Sequence, residues 1–94
     1  IFLIKFMKWN VDLAKHANTF IETNHIPKEY IFDVIADAIR NFQGEIVSID
    51  IRKMKGQWEG FYRIRKGKWR IIAEFNFTNN SVFIEDIDWR GNIY

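Results

Sequence analysis

The chain has 94 residues and a net charge of +2. Hydrophobic residues make up 48% of the chain and aromatic residues 17%, which is enough to form one packed core. We expect a single domain over residues 1–94. It has no cysteine, which excludes disulfides and thiolate metal sites and fits a reducing compartment. No apolar run approaches the roughly 20 residues that span a membrane, and the apolar start is too short for a signal peptide. We therefore expect a soluble, cytoplasmic protein. The start at Ile1, without an initiator methionine, is what a truncated N-terminus would give.

The N-terminal half predicts a strand followed by a helical hairpin. Residues 1–8 are rich in Ile and Phe and too few for a helix, so they predict a strand. Asn10 or Asp12 is a suitable cap for a first helix, whose apolar face would contain Leu13, Ala17, Phe20 and Ile21. A second helix is predicted over residues 27–43, with Pro27 at its first position. Its apolar stripe would contain Ile31, Val34, Ile35, Ala38 and Phe42.

The C-terminal half predicts strands. Alternating apolar residues (Val47, Ile49 and Ile51) indicate an extended edge segment. Three strands are then expected over residues 60–65, 68–77 and 81–89, with a tight turn at Lys66 and Gly67 and a looser one at residues 78–80. This order predicts an α+β fold in which a two-helix hairpin packs on one face of a largely antiparallel sheet.

Positive charge is concentrated in the predicted hairpin. Residues 1–50 carry a net charge of −2 and residues 51–94 a net charge of +4. Between Arg52 and Arg70 there are eight cations and a single acid, Glu59. A local positive field of this kind suits a polyanion.

The register of this hairpin predicts a site. With Lys66 and Gly67 as the turn, Arg65 faces Lys68 and Arg63 faces Arg70. Because side chains alternate between the faces of a sheet, all four cations would emerge on the face away from the helices. Like charges that face each other are destabilising, so we expect an anion to bind between them.

The last strand extends this face and leaves an alternative open. If Phe77 pairs with Ser81, then Arg70 faces Asp88, and Arg90 lies beside Lys68 on the same face. In the alternative, two acids of this strand (Asp86 and Asp88) neutralise the arginines through ordinary cross-strand ion pairs. In this register Glu85 falls on the apolar face, which the pattern does not explain.

Three segments carry a family resemblance. The hairpin GFYRIRKGKWRII (residues 60–72), the preceding KMKG (residues 53–56) and the final DWRGNIY (residues 88–94) resemble the RelE/ParE toxin superfamily. The order of strand, two helices and three strands is also similar to that family. The specific resemblance covers roughly the last 45 residues, and the helical half matches only in layout.

The resemblance implies the toxin of a toxin–antitoxin pair. In the RelE branch such a toxin cleaves mRNA on the ribosome without a metal, through attack of a 2′-hydroxyl on the adjacent phosphate. The implied partners are a cognate antitoxin, the ribosome and mRNA, with no membrane and no small-molecule cofactor. The implied catalytic residues are Arg63, Arg65, Arg70, Arg90 and Tyr94. The implied RNA-binding residues are Lys53, Lys55, Lys66 and Lys68.

One departure from the family pattern keeps two other functions open. Ribosome-dependent members carry lysine at the positions of Arg63 and Arg65, whereas arginine stays protonated and does not exchange protons readily. Asp88 is a candidate base, but Arg70 opposite it would stabilise the charged carboxylate. The alternatives are a ParE-like inhibitor of DNA gyrase and a non-catalytic nucleic-acid-binding relative. The presence of Arg90 and Tyr94 favours the nuclease.

Overall fold

The protein folds as a six-stranded mixed sheet with two helices packed on it, in a computed structural model that describes residues 2–4 and 8–89. The strands are β1 (Phe2–Ile4), β2 (Trp9–Leu13), β3 (Asp50–Lys53), β4 (Tyr62–Lys66), β5 (Trp69–Asn76) and β6 (Ser81–Trp89), and the helices are α1 (Lys15–Thr23) and α2 (Lys28–Phe42). The strand order is β1-β2-β6-β5-β4-β3, and β2 with β6 is the parallel pair among otherwise antiparallel neighbours. The predicted α+β class, with a largely antiparallel sheet, is confirmed.

The start of the first helix is predicted wrongly. Asn10 and Asp12 do not cap a helix but belong to β2, in which Trp9 and Val11 are buried and the two polar residues are exposed. This alternation has the period of a strand. The strand is stabilised by parallel pairing with β6, a partner some 70 residues away that local sequence does not reveal. Helix α1 begins only at Lys15.

Helix α2 agrees closely with the prediction. Its buried residues are Ile31, Val34, Ile35, Ala36, Ala38 and Ile39, which include most of the predicted stripe. Phe42 is half-buried and packs edge-on against Tyr62 and Phe75 of the sheet. Pro27 lies at the N-cap, one residue before the predicted position. Within the described ranges, no helix is both long and apolar enough to cross a membrane.

The β4–β5 hairpin has a register that differs from the prediction by two residues. Its turn is formed by Gly67 and Lys68, so that Arg65 pairs with Arg70, and Arg63 pairs with Ile72. The predicted pairs of Arg65 with Lys68 and of Arg63 with Arg70 are therefore wrong. The reason lies in Gly67, whose φ of +58° at the first central position is typical of a type II′ turn. A shift of two residues leaves every strand side chain on its predicted face.

A β-bulge in β6 explains Glu85. The predicted pairs of Arg70 with Asp88, Ile71 with Ile87 and Trp69 with Trp89 are confirmed. Beyond them Ile72 pairs with Asp86 but Ala73 pairs with Ile84, so Glu85 is an extra residue. The predicted pair of Phe75 with Phe83 is accordingly wrong, since Phe75 pairs with Val82. The bulge keeps Val82 and Ile84 in the core. Without it, the regular alternation of the strand would have placed Glu85 in the core.

Candidate functional site

The face of the sheet opposite the helices carries two rows of aligned residues. One row runs Asp50, Arg65, Arg70 and Asp88, and the next runs Arg52, Arg63, Ile72 and Asp86. Directly opposed side chains on one face have Cβ atoms about 4.5–5.5 Å apart. Two pairs of arginines therefore face each other, Arg52 with Arg63 and Arg65 with Arg70. Facing cations were predicted on this side of the hairpin, but in different pairs. We call Arg52, Arg63, Arg65 and Arg70 the arginine cluster.

Arg70 is the buried centre of the arginine cluster. Its residue is 5% exposed, and it is the one buried charged residue found among those that the structure describes. The Nε atoms of Arg63, Arg65 and Arg70 are all buried, and none has a hydrogen-bond partner. Buried charges are costly unless they are paired and hydrogen-bonded. The cluster therefore presents donors suited to an anion with several oxygens, such as a phosphate.

Asp50 is the carboxylate that partly balances this cluster. Its Oδ1 lies 3.1 Å from Nη2 of Arg63, and its Oδ2 lies 4.0 Å from Nη1 of Arg65. Asp50 was not predicted as a site residue, although it lies within the predicted edge segment, between Ile49 and Ile51. One carboxylate shared by two arginines leaves the cluster with net positive charge.

The electrostatics of Arg63 reflect this crowding. Burial lowers the pKa of the Arg63 guanidinium, the positive charge of Arg65 lowers it further, and Asp50 acts in the opposite direction. Arginine nevertheless stays protonated in proteins, so Arg63 can hold an anion but is unsuited to proton transfer.

A concave pocket of about 240 Å³ lies against the arginine cluster. Its lining residues are Arg52, Lys53, Met54, Lys55, Arg63, Arg65 and Arg70. The structure thus brings the predicted Lys53 and Lys55 together with three of the predicted arginines. It also adds Arg52, which the sequence analysis counted as a cation but did not assign to the site.

The remaining predicted site residues are not all on this face. Lys66 pairs with Trp69 at the end of the hairpin, where it lines both a cavity beside α2 and a second cavity that contains Asp50 and Arg65. Lys68 is exposed in the turn and does not pair with Arg65. Arg90 and Tyr94 lie outside the described residues.

Beyond the end of its pairing with β2, strand β6 carries two acids beside one histidine of α1. Nε2 of His16 lies 3.6 Å from Oε2 of Glu85 and 3.7 Å from Oδ1 of Asp86. Burial raises the pKa of Asp86, whereas His16 and the backbone N–H of Ile87 act to lower it. Of the two acids in the alternative, Asp86 has His16 and not an arginine beside it, whereas Asp88 is directly opposite Arg70.

Comparisons with known proteins place the fold. No protein-family model and no curated protein matches the sequence. The chain is similar in structure to the RelB–RelE antitoxin–toxin complex from Methanococcus jannaschii, with a TM-score of 0.57 and 27% identity over 88% of this chain and 94% of that chain. The YoeB–YefM complex from Staphylococcus aureus gives a TM-score of 0.59 and 14% identity, covering 87% and 97% of the two chains.

A third similar structure is a metal-bound toxin from Helicobacter pylori, with a TM-score of 0.65 and 11% identity over 92% of this chain and 99% of that chain. These coverages show that most of the chain, and not the hairpin alone, has counterparts in the solved structures. In agreement with the resemblance of its hairpin, the chain has the α+β fold of the RelE-type toxins of toxin–antitoxin systems.

Proposed function

We propose that the chain is the toxin of a toxin–antitoxin pair and that it cleaves mRNA on the ribosome. The observation that carries this proposal is the arginine cluster, in which Arg70 is buried on an open sheet face with a donor that has no protein partner. The fold, shared with toxins that include YoeB and RelE, gives the arginine cluster its functional context.

The cluster suits one part of the cleavage chemistry in particular. When the 2′-hydroxyl of RNA attacks the adjacent phosphate, negative charge accumulates on the phosphate oxygens. Guanidinium groups match these oxygens bidentately, and Arg63 and Arg70 present such groups from neighbouring strands. Lys53 and Lys55, on the rim of the same pocket, would hold flanking phosphates of the RNA backbone. Arg90 and Tyr94 complete the proposed catalytic set.

The proposal is tested by offering the purified chain three substrates in parallel. We expect cleavage of mRNA that is being translated in a reconstituted system, with 2′,3′-cyclic phosphate ends. Naked mRNA of the same sequence should be cut much less, because the ribosome aligns the substrate.

The third substrate, plasmid DNA with gyrase, addresses the second candidate function. Arginine in place of lysine at positions 63 and 65 keeps a ParE-like gyrase inhibitor open as an alternative. Intact mRNA together with blocked supercoiling would contradict the nuclease and support gyrase inhibition. If neither substrate is affected, the third candidate, a non-catalytic nucleic-acid-binding relative, is supported.

We further propose that a cognate antitoxin inhibits the chain by covering the arginine cluster. The similar RelB–RelE and YoeB–YefM structures are complexes, and the concentrated positive charge favours an acidic partner segment. Raising the ionic strength from 0.1 M to 1 M shortens the screening length from about 10 Å to about 3 Å. We therefore expect the dissociation constant of the complex, measured by calorimetry, to increase at least tenfold over this range.

Two variants make this experiment specific. Arg52→Ala should reduce the dependence on salt, because Arg52 contributes one charge to the cluster. Lys15→Ala, which removes an exposed cation at the start of α1, should leave it unchanged. A complex that is indifferent to salt would contradict inhibition by charge coverage and favour another route, such as displacement of the segment that carries Tyr94.

A further inference from the structure

The proposed nuclease needs a group that moves protons, which the arginine cluster does not supply. The topology places a candidate group beside it. Strand β2 pairs with β6 only over Ser81–Ile84. The chain then leaves the sheet, with the backbone N–H of Ala14 donating to the carbonyl oxygen of Ile84 over 2.9 Å, and enters α1. The first turn of α1 is thereby held beside the bulged part of β6.

The bulge aims two consecutive carboxylates at one imidazole. Neighbouring residues of a regular strand point to opposite faces, so Glu85 and Asp86 could not both reach His16 without the bulge. In the structure both carboxylates lie within 4 Å of Nε2 of His16. His16 itself is accessible, with 61% of its side chain exposed.

Asp86 belongs to the same face as the arginine cluster. It is directly opposite Ile72, which in turn is opposite Arg63, so Asp86 and Arg63 are two strand spacings apart, about 10 Å between backbones. Arg70 is the diagonal neighbour of Asp86 on β5, and residues in this relation are typically 7–8 Å apart. Ile72 is fully buried and forms an apolar floor between the charged groups. An RNA strand whose phosphate is held by Arg63 and Arg70 could extend across Ile72 toward the Asp86 carboxylate.

We propose that Asp86 is the catalytic residue that accepts the proton of the 2′-hydroxyl, and that His16 is a positioning residue that orients it. This assignment rests on the proposed nuclease function. In the step, the 2′-hydroxyl proton passes to the Asp86 carboxylate, and the bond from O2′ to phosphorus forms. The bond from phosphorus to O5′ breaks, and the leaving O5′ keeps the electron pair and takes a proton from water. The hydroxide so formed removes the proton from Asp86, which restores the carboxylate.

The electrostatic environment supports this role. Burial raises the pKa of Asp86, which makes its carboxylate a stronger base than an ordinary exposed one. The charged groups around it are His16 on α1, Glu85 and Asp88 on its own strand, and Arg70 and Glu74 on either side of Ile72 on β5. Because His16 acts to lower the pKa of Asp86, the loss of His16 should raise that pKa.

The test measures ribosome-dependent cleavage by Asp86→Asn and His16→Gln as a function of pH. We expect Asp86→Asn to lower kcat by a factor of about 10² to 10⁴, the range typical of general acid–base catalysis. The affinity for mRNA that carries a 2′-deoxy nucleotide at the cleavage site should change less than twofold. His16→Gln should retain partial activity and move the acidic limb of the pH–rate profile to higher pH.

Matched controls separate this role from a structural one. Asp12→Asn removes an exposed carboxylate from β2, and His25→Gln removes an exposed imidazole from the turn after α1, and both should cleave at the normal rate. Asp86→Asn should unfold at no lower temperature than the wild type at pH 7, because burial disfavours the charged carboxylate. Normal cleavage by Asp86→Asn would overturn the assignment alone. A wild-type chain that does not cleave translated mRNA would overturn the nuclease proposal and this assignment with it.

Discussion

Replacing Arg70 with alanine is expected to lower ribosome-dependent mRNA cleavage by a factor of about 10² to 10³, the usual effect of removing one donor that stabilises a developing negative charge. Arg70 is the most buried member of the arginine cluster, so water cannot substitute fully for its guanidinium. Arg70→Lys should restore only part of the rate, because an ammonium group lacks the bidentate geometry. The rate is measured from the accumulation of cyclic phosphate ends during translation.

The same substitution should leave the domain folded. Arg70 lies between Arg65 and Asp88, so alanine at this position removes a buried charge and a like-charge neighbour together with one opposite-charge neighbour. Circular dichroism of the variant should match that of the wild type. Arg40→Ala, which removes an arginine that pairs with Asp37 on α2, is the matched control and should keep full activity. Growth arrest that survives Arg70→Ala, with intact mRNA and altered DNA supercoiling, would contradict the nuclease.

Replacing Ile71 with alanine should reduce the free energy of unfolding by about 2–5 kcal/mol, because it leaves a cavity in a packed core. Ile71 is fully buried on the helix side of β5, between Ile64 of β4 and Ile87 of β6. The change is measured as a lower midpoint of urea unfolding, with activity retained at low temperature wherever the variant is still folded.

Ile46→Ala provides the control for this substitution. Ile46 is fully exposed, so the loss of the same atoms should change stability by less than about 0.5 kcal/mol. Equal effects of the two substitutions would contradict the placement of Ile71 in the core. Ile71 and Arg70 are adjacent on β5 and point to opposite faces of the sheet. Ile71→Ala therefore tests the packing of the core, whereas Arg70→Ala tests the site.

The sequence predicts the faces of the sheet better than its pairings. Alternation alone assigns Arg63, Arg65 and Arg70 to one face, and the structure agrees. The register depends on the turn. The alternation of apolar and polar residues does not show whether Gly67 occupies the first or the second central position of that turn. Strand β2 was mistaken for the start of a helix because its stabilising partner, β6, lies at the opposite end of the chain.

For the candidate site too, local features were predicted and long-range contacts were not. The hairpin motif points to the arginines and to Lys53 and Lys55, because these residues are close in sequence. Asp50 and His16 were missed, since their contacts are with Arg63 and Asp86, 13 and 70 positions away. Only the sheet order and the bulge bring such groups together, and neither is a local property of the sequence.

The parallel pairing of β2 with β6 has a consequence for how the chain acquires its fold during synthesis. Two adjacent inner strands come from opposite ends of the domain, so β2 cannot gain this neighbour until Ser81–Ile84 has been synthesised. The β4–β5 hairpin, whose contacts are local, can form earlier. Closing so long a loop slows folding, because the entropic cost precedes the contacts that compensate for it. In a nascent chain the β4–β5 hairpin would therefore form while the apolar β2 residues Trp9 and Val11 are still uncovered. We expect chaperones to bind the chain during this interval.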